Sequence, residues 1–445
     1  MSATAALASC MRRAAKALPP INSTSFAANF DWLGQYNVVC LGDGSHGTSE
    51  FYAARAEISK RLIKEHGFKI VALEADWPDA EAIDHYVRRW PNHPGRTEAQ
   101  ETMFKRFPTW MWRNREFQDF VHWLRDYNAG LPPNERAGVY GLDLYSMGSS
   151  MAAVIKYLES VDPEMAKEAR QRYSQLSRWA GREHEYGMKM RSGRWKTCEE
   201  DVIKMLLELL RKRLEYSAKI HDGEHFHSAE QNATLVVDAE EYYRKMYYSD
   251  EITWNLRDSH MFETLKRLLD FRSPNNKAIV WAHNSHLGDA RYTDMGISRG
   301  EINLGQLCRE HLDNVVLVGC GTHDGTVAAA HEWDDDMQIM KVNPSREDSW
   351  ERVCHDTSLS RFLIDMRKGH CDEDTRRQLA TTRLERFIGV IYRPATERWS
   401  HYSAAKLSLQ FDAFLFFDTT HAVGALEKKQ PHTPLEEAET YPFGL

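Results

Sequence analysis

No stretch of this 445-residue chain approaches the roughly 20 consecutive apolar residues that cross a bilayer, so no membrane-spanning helix is expected. Basic charge is scarce as well. With 57 Lys and Arg against 65 Asp and Glu, the net charge is −8, whereas a nucleic-acid surface needs a basic face. The one local basic cluster, Arg191 to Lys196, reads as a solvated helix face. The seven cysteines (Cys10, Cys40, Cys198, Cys308, Cys320, Cys354, Cys371) are odd in number and contain no C-x-x-C. That suits reduced thiols inside a cell. The nucleophile elbow G-x-S-x-G is missing, and the glycines around Ser45 are wrongly spaced for it. The first thirty residues hold Arg12, Arg13 and Lys16, no acid and no long apolar stretch. A cytoplasmic location is expected, with a weak organellar address left open.

Apolar residues at 42% and charged residues at 27% support an ordinary buried core. Seven short runs read as strands: Val38 to Leu41, Ile70 to Leu73, Gly138 to Leu142, Ala278 to Ala282, Val315 to Gly319, Ile388 to Tyr392 and Phe414 to Phe417. They are continuously apolar rather than alternating, as in a sheet covered on both faces. Helical patterns between them predict an α/β fold: a central, mostly parallel sheet flanked by helices. Between residues 151 and 270 the rhythm stops, and a long charged helical insertion is expected. There Thr197 and Glu200 stand at capping-box spacing before the stripe Val202, Leu206, Leu209 and Leu210. The expected organisation is an N-terminal segment 1–35, an α/β unit 36–150 with 271–423, the insertion 151–270, and a loose tail 424–445.

Ionisable residues collect at the ends of these runs. Asp43 and His46 follow the first, Glu74 closes the second, and Asp143 the third. His283 and His286 follow "IVWAHNSH", His323 follows "LVGCGTH", and Arg393 ends "GVIYRP". Ligands of open α/β sheets bind beyond the carboxyl ends of the strands, so these groups are expected to converge there. Arg55 lies on the same helical face as Phe51, Ile58 and Leu62. A guanidinium on the sheet-facing side needs a partner, and Asp43 or Glu74 is available.

Two chemistries compete for the loop "LGDGSHGTSE". Gly42, Gly44 and Gly47 match G-x-G-x-x-G between a strand and a helix, with Glu74 where a ribose-binding acid would stand. Against a nucleotide cradle, Asp43 would point a carboxylate at the pyrophosphate. The catalytic reading makes His46 a general base oriented by a carboxylate. The helix start near Thr48, Arg55, His283 and His286 are then candidates to hold an oxyanion. His46, Glu74, His283 and His286 also form a conceivable ligand set for a divalent metal. The expectation is no obligatory metal and no other cofactor.

The segments "LGDGSHGTSEFYAARAE", "VALEADW", "YGLDLYSM", "WNLRDSHMFETL", "VWAHNSHLGD", "GTHDGTVAAA" and "GVIYRPATERWSHY" resemble the erythromycin esterase family, in family order over roughly residues 36 to 422. The resemblance is to its broad branch of erythromycin esterase-like hydrolases. It implies an α/β enzyme distinct from serine-dependent α/β-hydrolases, opening a lactone ester with a histidine-activated water and no metal. It implies His46 as general base, Glu74 and Arg55 as supporting acid and cation, and His283 with His286 as the late histidine pair. Asp43 stands where the resistance esterases carry Glu, one methylene longer. Asp258 in "WNLRDSHM" and Tyr402 in "SHY" are implied supporting or substrate-side residues, alongside Asp143, His323 and Arg393 at the strand ends.

The expected activity is thus hydrolysis of a carboxylic ester, a lactone or natural-product ester, without a covalent intermediate. The alternatives are a natural-product tailoring enzyme using the same base for cyclisation, isomerisation or elimination, a nucleotide-binding protein, and a non-enzymatic ligand-binding protein. The partner expected is a small-molecule substrate, with no nucleic acid and no membrane; oligomeric state is left open.

Overall fold

A computed structural model describes residues 3–90, 104, 106, 108–193, 195–219, 223–272 and 276–429. Most of the tail, 430–445, falls outside these. Among the described residues there are eleven strands: β1 (Lys16–Ala17), β2 (Val38–Asp43), β3 (Ile70–Asp76), β4 (Gly138–Asp143), β5 (Ala278–His283), β6 (Val315–Ala329), β7 (Gln338–Val342), β8 (Arg361–Asp365), β9 (Arg383–Arg386), β10 (Tyr402–Ala405) and β11 (Ala413–Thr420). One sheet runs in the order β1-β8-β11-β6-β2-β5-β3-β4, with β7 paired to β6, while β9 and β10 form a separate ribbon. From β11 to β4 every pairing is parallel; β8, β1 and β7 are antiparallel additions.

The continuous apolar runs are explained by two cores. Val38, Cys40, Ile70, Ala72, Val280 and Ala282 face one, and Val39, Leu41, Val71, Leu73, Ile279 and Trp281 face the other. Successive side chains of a strand point to opposite faces, so a doubly covered sheet needs apolar residues at every position. The helices Ser49–His66 and Arg115–Asn128 cover the second face. Helices between Met147 and Arg272 cover the first, with Val154, Leu158, Val236 and Leu265 in one core with the strands. The N-terminal helix Ala3–Ala14 adds Leu7 and Met11 to that core. No helix among the described residues is long and apolar enough to cross a membrane.

Two local expectations are corrected. Ile388–Tyr392 is no strand of the sheet. It makes only isolated bridges, Ser45 to Ile388 and Ala330 to Ile391. Its polar backbone is satisfied across the strand ends, His46 N–H donating to Ile388 O and Ile388 N–H to Gly44 O, and that crossing position is why it is apolar. The helix Glu199–Arg211 starts one residue too late for a Thr197 cap: Cys198 is its N-cap and makes no side-chain capping bond. Glu199, Glu200 and Asp201 in its first turn complement the helix dipole instead.

Register decides what meets at the strand ends. Asp43 is paired with His283 across β2 and β5. Between β3 and β4 the register shifts after Leu73 and resumes at Asp76 opposite Asp143. Such an irregularity re-aims side chains, and Glu74 sits within it.

Candidate active site

The glycines after β2 are there for packing. A Cβ on Gly42 would lie 2.3 Å from Asn284 Oδ1, and one on Gly44 2.7 Å from the Cys320 carbonyl oxygen. On Gly47 it would be 1.8 Å from the Ala328 carbonyl oxygen. The loop is pressed against β6 and the segment after β5, and protein atoms fill the space above the glycines. This argues against a pyrophosphate cradle and explains the spacing without one.

The same close packing holds Asp43 and His46 still. Both are buried, and His46 Nδ1 stands 3.4 Å from Asp43 Oδ1. The other carboxylate oxygen lies 2.6 Å from Arg55 Nη1. Arg55 is sealed on the sheet side of its helix, 4.5 Å from the Tyr52 ring centroid and 5.0 Å from that of Trp281. Burial opposes ionisation of Asp43, but Arg55 and then His46 outweigh it and lower its pKa. The His46–Asp43 contact lacks hydrogen-bond geometry. Catalytic hydrogen bonds often tighten only once substrate is bound.

Glu74 is the hub. Its Oε1 lies 3.8 Å from His46 Nε2, 3.2 Å from His286 Nε2 and 2.8 Å from Arg257 Nη2. Its Oε2 accepts the His283 backbone N–H at 2.8 Å. Arg257 also makes a two-point contact with Asp143, Nε to Oδ1 at 3.0 Å and Nη2 to Oδ2 at 2.7 Å. His286 Nδ1 faces Asp258 Oδ2 at 2.9 Å, and its ring stacks on Trp254 with centroids 4.6 Å apart. The His283 ring is 4.8 Å from that of His46, and its Nδ1 takes the Ser285 N–H.

Electrostatics separates the two late histidines. Burial, with His46 adding to it, pushes His283 down to about 3, so it is neutral. Burial also opposes a charge on His286, but Asp258 and Glu74 overcome it and raise it to about 9. Burial likewise raises Glu74, yet His286, His46 and Arg257 bring it well below the usual carboxylate range.

A narrow cleft, open to solvent and with room for about 60 Å³, ends on this cluster. His46, Glu74, Asp143 and Arg257 line it, with Asp76, Asp79, Arg106, Trp112, Tyr145 and Trp333 further along. Several expectations are corrected here. His283, His286 and Arg55 lie behind the cleft, not on it. Asp258 is also no substrate-side residue: it is fully buried behind His286 and accepts the Leu304 N–H. The helix start near Thr48 cannot hold an oxyanion with the Ser49 N–H, which donates to the His421 carbonyl.

His323, Tyr402 and Arg393 belong elsewhere. His323 is inside β6, which runs on to Ala329; its ring stacks on His355 at 3.6 Å and its Nδ1 faces Ser345 Oγ. Tyr402 Oη accepts from Arg386 Nε, and Arg386 Nη2 donates to the His323 carbonyl, so both belong to a second polar cluster. Arg393 is exposed and donates to the His331 carbonyl, because the segment 388–392 leads to the surface rather than ending a strand. The set His46, Glu74, His283 and His286 does not fit a metal. His286 Nδ1 faces Asp258 and its Nε2 lies 3.1 Å from Arg257 Nη1, and among the described residues no three His, Cys, Asp or Glu groups could hold an ion.

Arg257 is the residue the sequence reading passed over. It lies on the helix Asp250–Arg272, whose buried face carries Arg257, Asp258, Met261, Leu265 and Leu268. The argument that singled out Arg55, an arginine on an apolar face, applied to it equally.

Fold and site together define a class: an open α/β protein with an acid–base cluster at the carboxyl ends of its central strands. The erythromycin esterase family model matches residues 63–420, and the chain belongs to that family. The match begins after the loop bearing Asp43 and His46. The chain is 22% identical over 269 residues to YbfO of Bacillus subtilis (strain 168), named as a hydrolase, over 56% of each chain. It is 24% identical over 136 residues to erythromycin esterase type II of Escherichia coli, over 30% of each. The matches thus span about half the length of the first relative and under a third of the second. Among solved structures, a Bacillus cereus protein superposes with a TM-score of 0.78 at 19% identity, covering 96% of this chain and 100% of that one. A succinoglycan biosynthesis protein gives 0.76 at 20% identity, covering 96% and 99%. A mutant of the erythromycin esterase EreC in its open conformation gives 0.65 at 18%, covering 91% and 94%. These likenesses show the fold, and family membership supports a hydrolase-like function.

Proposed function

We propose that this protein hydrolyses a carboxylic ester, a lactone or natural-product ester, with water activated by His46. The observation that carries the reading is that His46 lines the cleft with a carboxylate on each side of its ring, Asp43 toward Nδ1 and Glu74 toward Nε2. Asp43, held by Arg55, favours the proton on Nδ1 and leaves the Nε2 lone pair as the base. Water gives its proton to Nε2 as its oxygen attacks the carbonyl carbon. When the tetrahedral intermediate collapses, the C–O bond to the alcohol breaks and His46 returns the proton to the leaving oxygen. The imidazolium formed in between sits between two carboxylates, which lowers its cost in a buried site.

No serine or cysteine nucleophile is invoked, and no cofactor or metal enters the scheme. The test is a mass-spectrometric screen of lactones and activated esters with the wild type and H46N. We expect a single product heavier by one water from a lactone and a separate acid and alcohol from an acyclic ester, no acylated protein, and a turnover loss of at least about 10²-fold in a folded H46N. Undiminished turnover by H46N would remove His46 from the mechanism. A product of unchanged mass would move the reading to isomerisation.

A further inference from the structure

Ester hydrolysis needs a group to hold the charge that develops on the carbonyl oxygen, and the groups expected to do this, Arg55, His283 and His286, are off the cleft. The geometry points to Arg257 as the residue that binds this oxyanion, with Glu74 coupling it to the base. The inference rests on the hydrolase reading above.

Among the described residues lining the cleft, two carry a permanent positive charge, Arg106 and Arg257. Arg106 is engaged by Asp76, 2.9 Å from its Oδ2. Arg257 is engaged as well, by Asp143, by Glu74 and, through Nη1, by His286 Nε2 at 3.1 Å, but it shares one oxygen with the base: Glu74 Oε1 is 2.8 Å from Arg257 Nη2 and 3.8 Å from His46 Nε2. A carbonyl in front of the His46-bound water therefore sits beside Arg257. The guanidinium is pre-organised by the two-point contact with Asp143 and by the Tyr145 ring, whose centroid is 5.0 Å from Cζ. Fixed charge of this kind needs no reorganisation during reaction.

The obvious objection is that Arg257 is already neutralised. Glu74 answers it. Before reaction its negative charge is shared by Arg257 and His286. When His46 takes the water proton, its imidazolium becomes a third claimant on the same oxygen. Arg257 is then less tightly bound by Glu74 at the moment the oxyanion forms. Proton transfer and oxyanion binding are thus linked through one carboxylate.

The experiment uses the ester that the wild type turns over fastest in the screen, and phenyl methylphosphonate as a tetrahedral anion probe. For R257Q we expect kcat to fall about 10²–10³-fold, with KM within about threefold and phosphonate affinity falling in step. R257K keeps the charge but not the planar fork and should lose about tenfold or more. Methylguanidinium added to R257A should restore part of its turnover and none to H46N. Because removing Arg257 strands Glu74 and Asp143, R257K decides the matter if R257Q does not fold. A kcat within threefold of wild type in R257K or R257Q, with H46N inactive, overturns the role of Arg257 and leaves the base standing. A kcat loss without weaker phosphonate binding also overturns it. Ester turnover equal in wild type and H46N, or absent in both, removes the hydrolase reading and this inference with it.

Discussion

Arg55 Nη1 and Asp43 Oδ2 meet at 2.6 Å with both side chains almost wholly buried. The pair lies behind the reacting face: Asp43 reaches forward to His46, and Arg55 anchors it from the helix Ser49–His66. An ion pair in this position orients a base without itself meeting substrate.

Breaking that pair should cost stability as well as activity. D43N and R55Q each leave one buried charge without its partner, a loss of about 3–5 kcal/mol. Urea denaturation should show both midpoints lowered, and the double variant should lose less than the sum of the two. Additive losses would mean that the two residues do not stabilise each other.

The stability of the protein should fall on the alkaline side through His286. Its folded pKa, about 9, lies above the ordinary value of 6.5. The stability from this raised pKa is therefore fully present below about pH 6.5 and lost as pH rises through about 9. At about 1.4 kcal/mol per pKa unit, the contribution is on the order of 3 kcal/mol. Denaturation midpoints measured from pH 6 to 10 should decline in that window for the wild type, and H286Q should remove the decline.

Two buried glutamates should respond oppositely to loss of charge. Burial, with Glu351 adding to it, pushes Glu385 well above the usual carboxylate range, which favours its uncharged form; its Oε1 accepts the Asn284 amide. E385Q preserves that acceptor and should change stability by less than about 1 kcal/mol. E74Q removes a charge facing Arg257 and His286 and should cost about 3–5 kcal/mol. Thermal melts of the two variants side by side check the contrast.

Gly47 should tolerate no side chain. A Cβ there meets the Ala328 carbonyl oxygen at 1.8 Å, so G47A must displace the loop that carries His46. We expect a stability loss of about 1–3 kcal/mol. A misplacement of the base by about 1 Å should reduce turnover on the order of 10²-fold. An active, equally stable G47A would show that the loop has room to move.

The parallel strands could be read along the chain because burial on both faces writes itself as unbroken apolar runs, and β2, β4 and β5 each end in the acid or histidine expected of them, while β3 runs two residues past Glu74 to Asp76. His323 misled because β6 continues six residues beyond it. The strand bends on through Gly325, whose φ of +130° and close approach to Thr420 O only glycine accommodates. Ile388–Tyr392 misled because an apolar segment lying across strand ends has the composition of one lying within the sheet. Arg257 was missed because its neighbours in the site come from β3, β4 and the segment after β5, far from it in the chain.

The amino-acid order by itself determined which runs are buried, where β2, β4 and β5 stop, and that imidazoles and carboxylates stand at those stops, because these are local consequences of periodicity and side-chain polarity. Only the tertiary structure decided which of them face the cleft. It set His46 at the cleft floor, turned His283, His286 and Asp258 inward behind it, and brought Arg257 in from a distant helix. The reason is that a pairing register and a helix's placement over a sheet are set by the packing of the whole core, and no spacing within one segment encodes them.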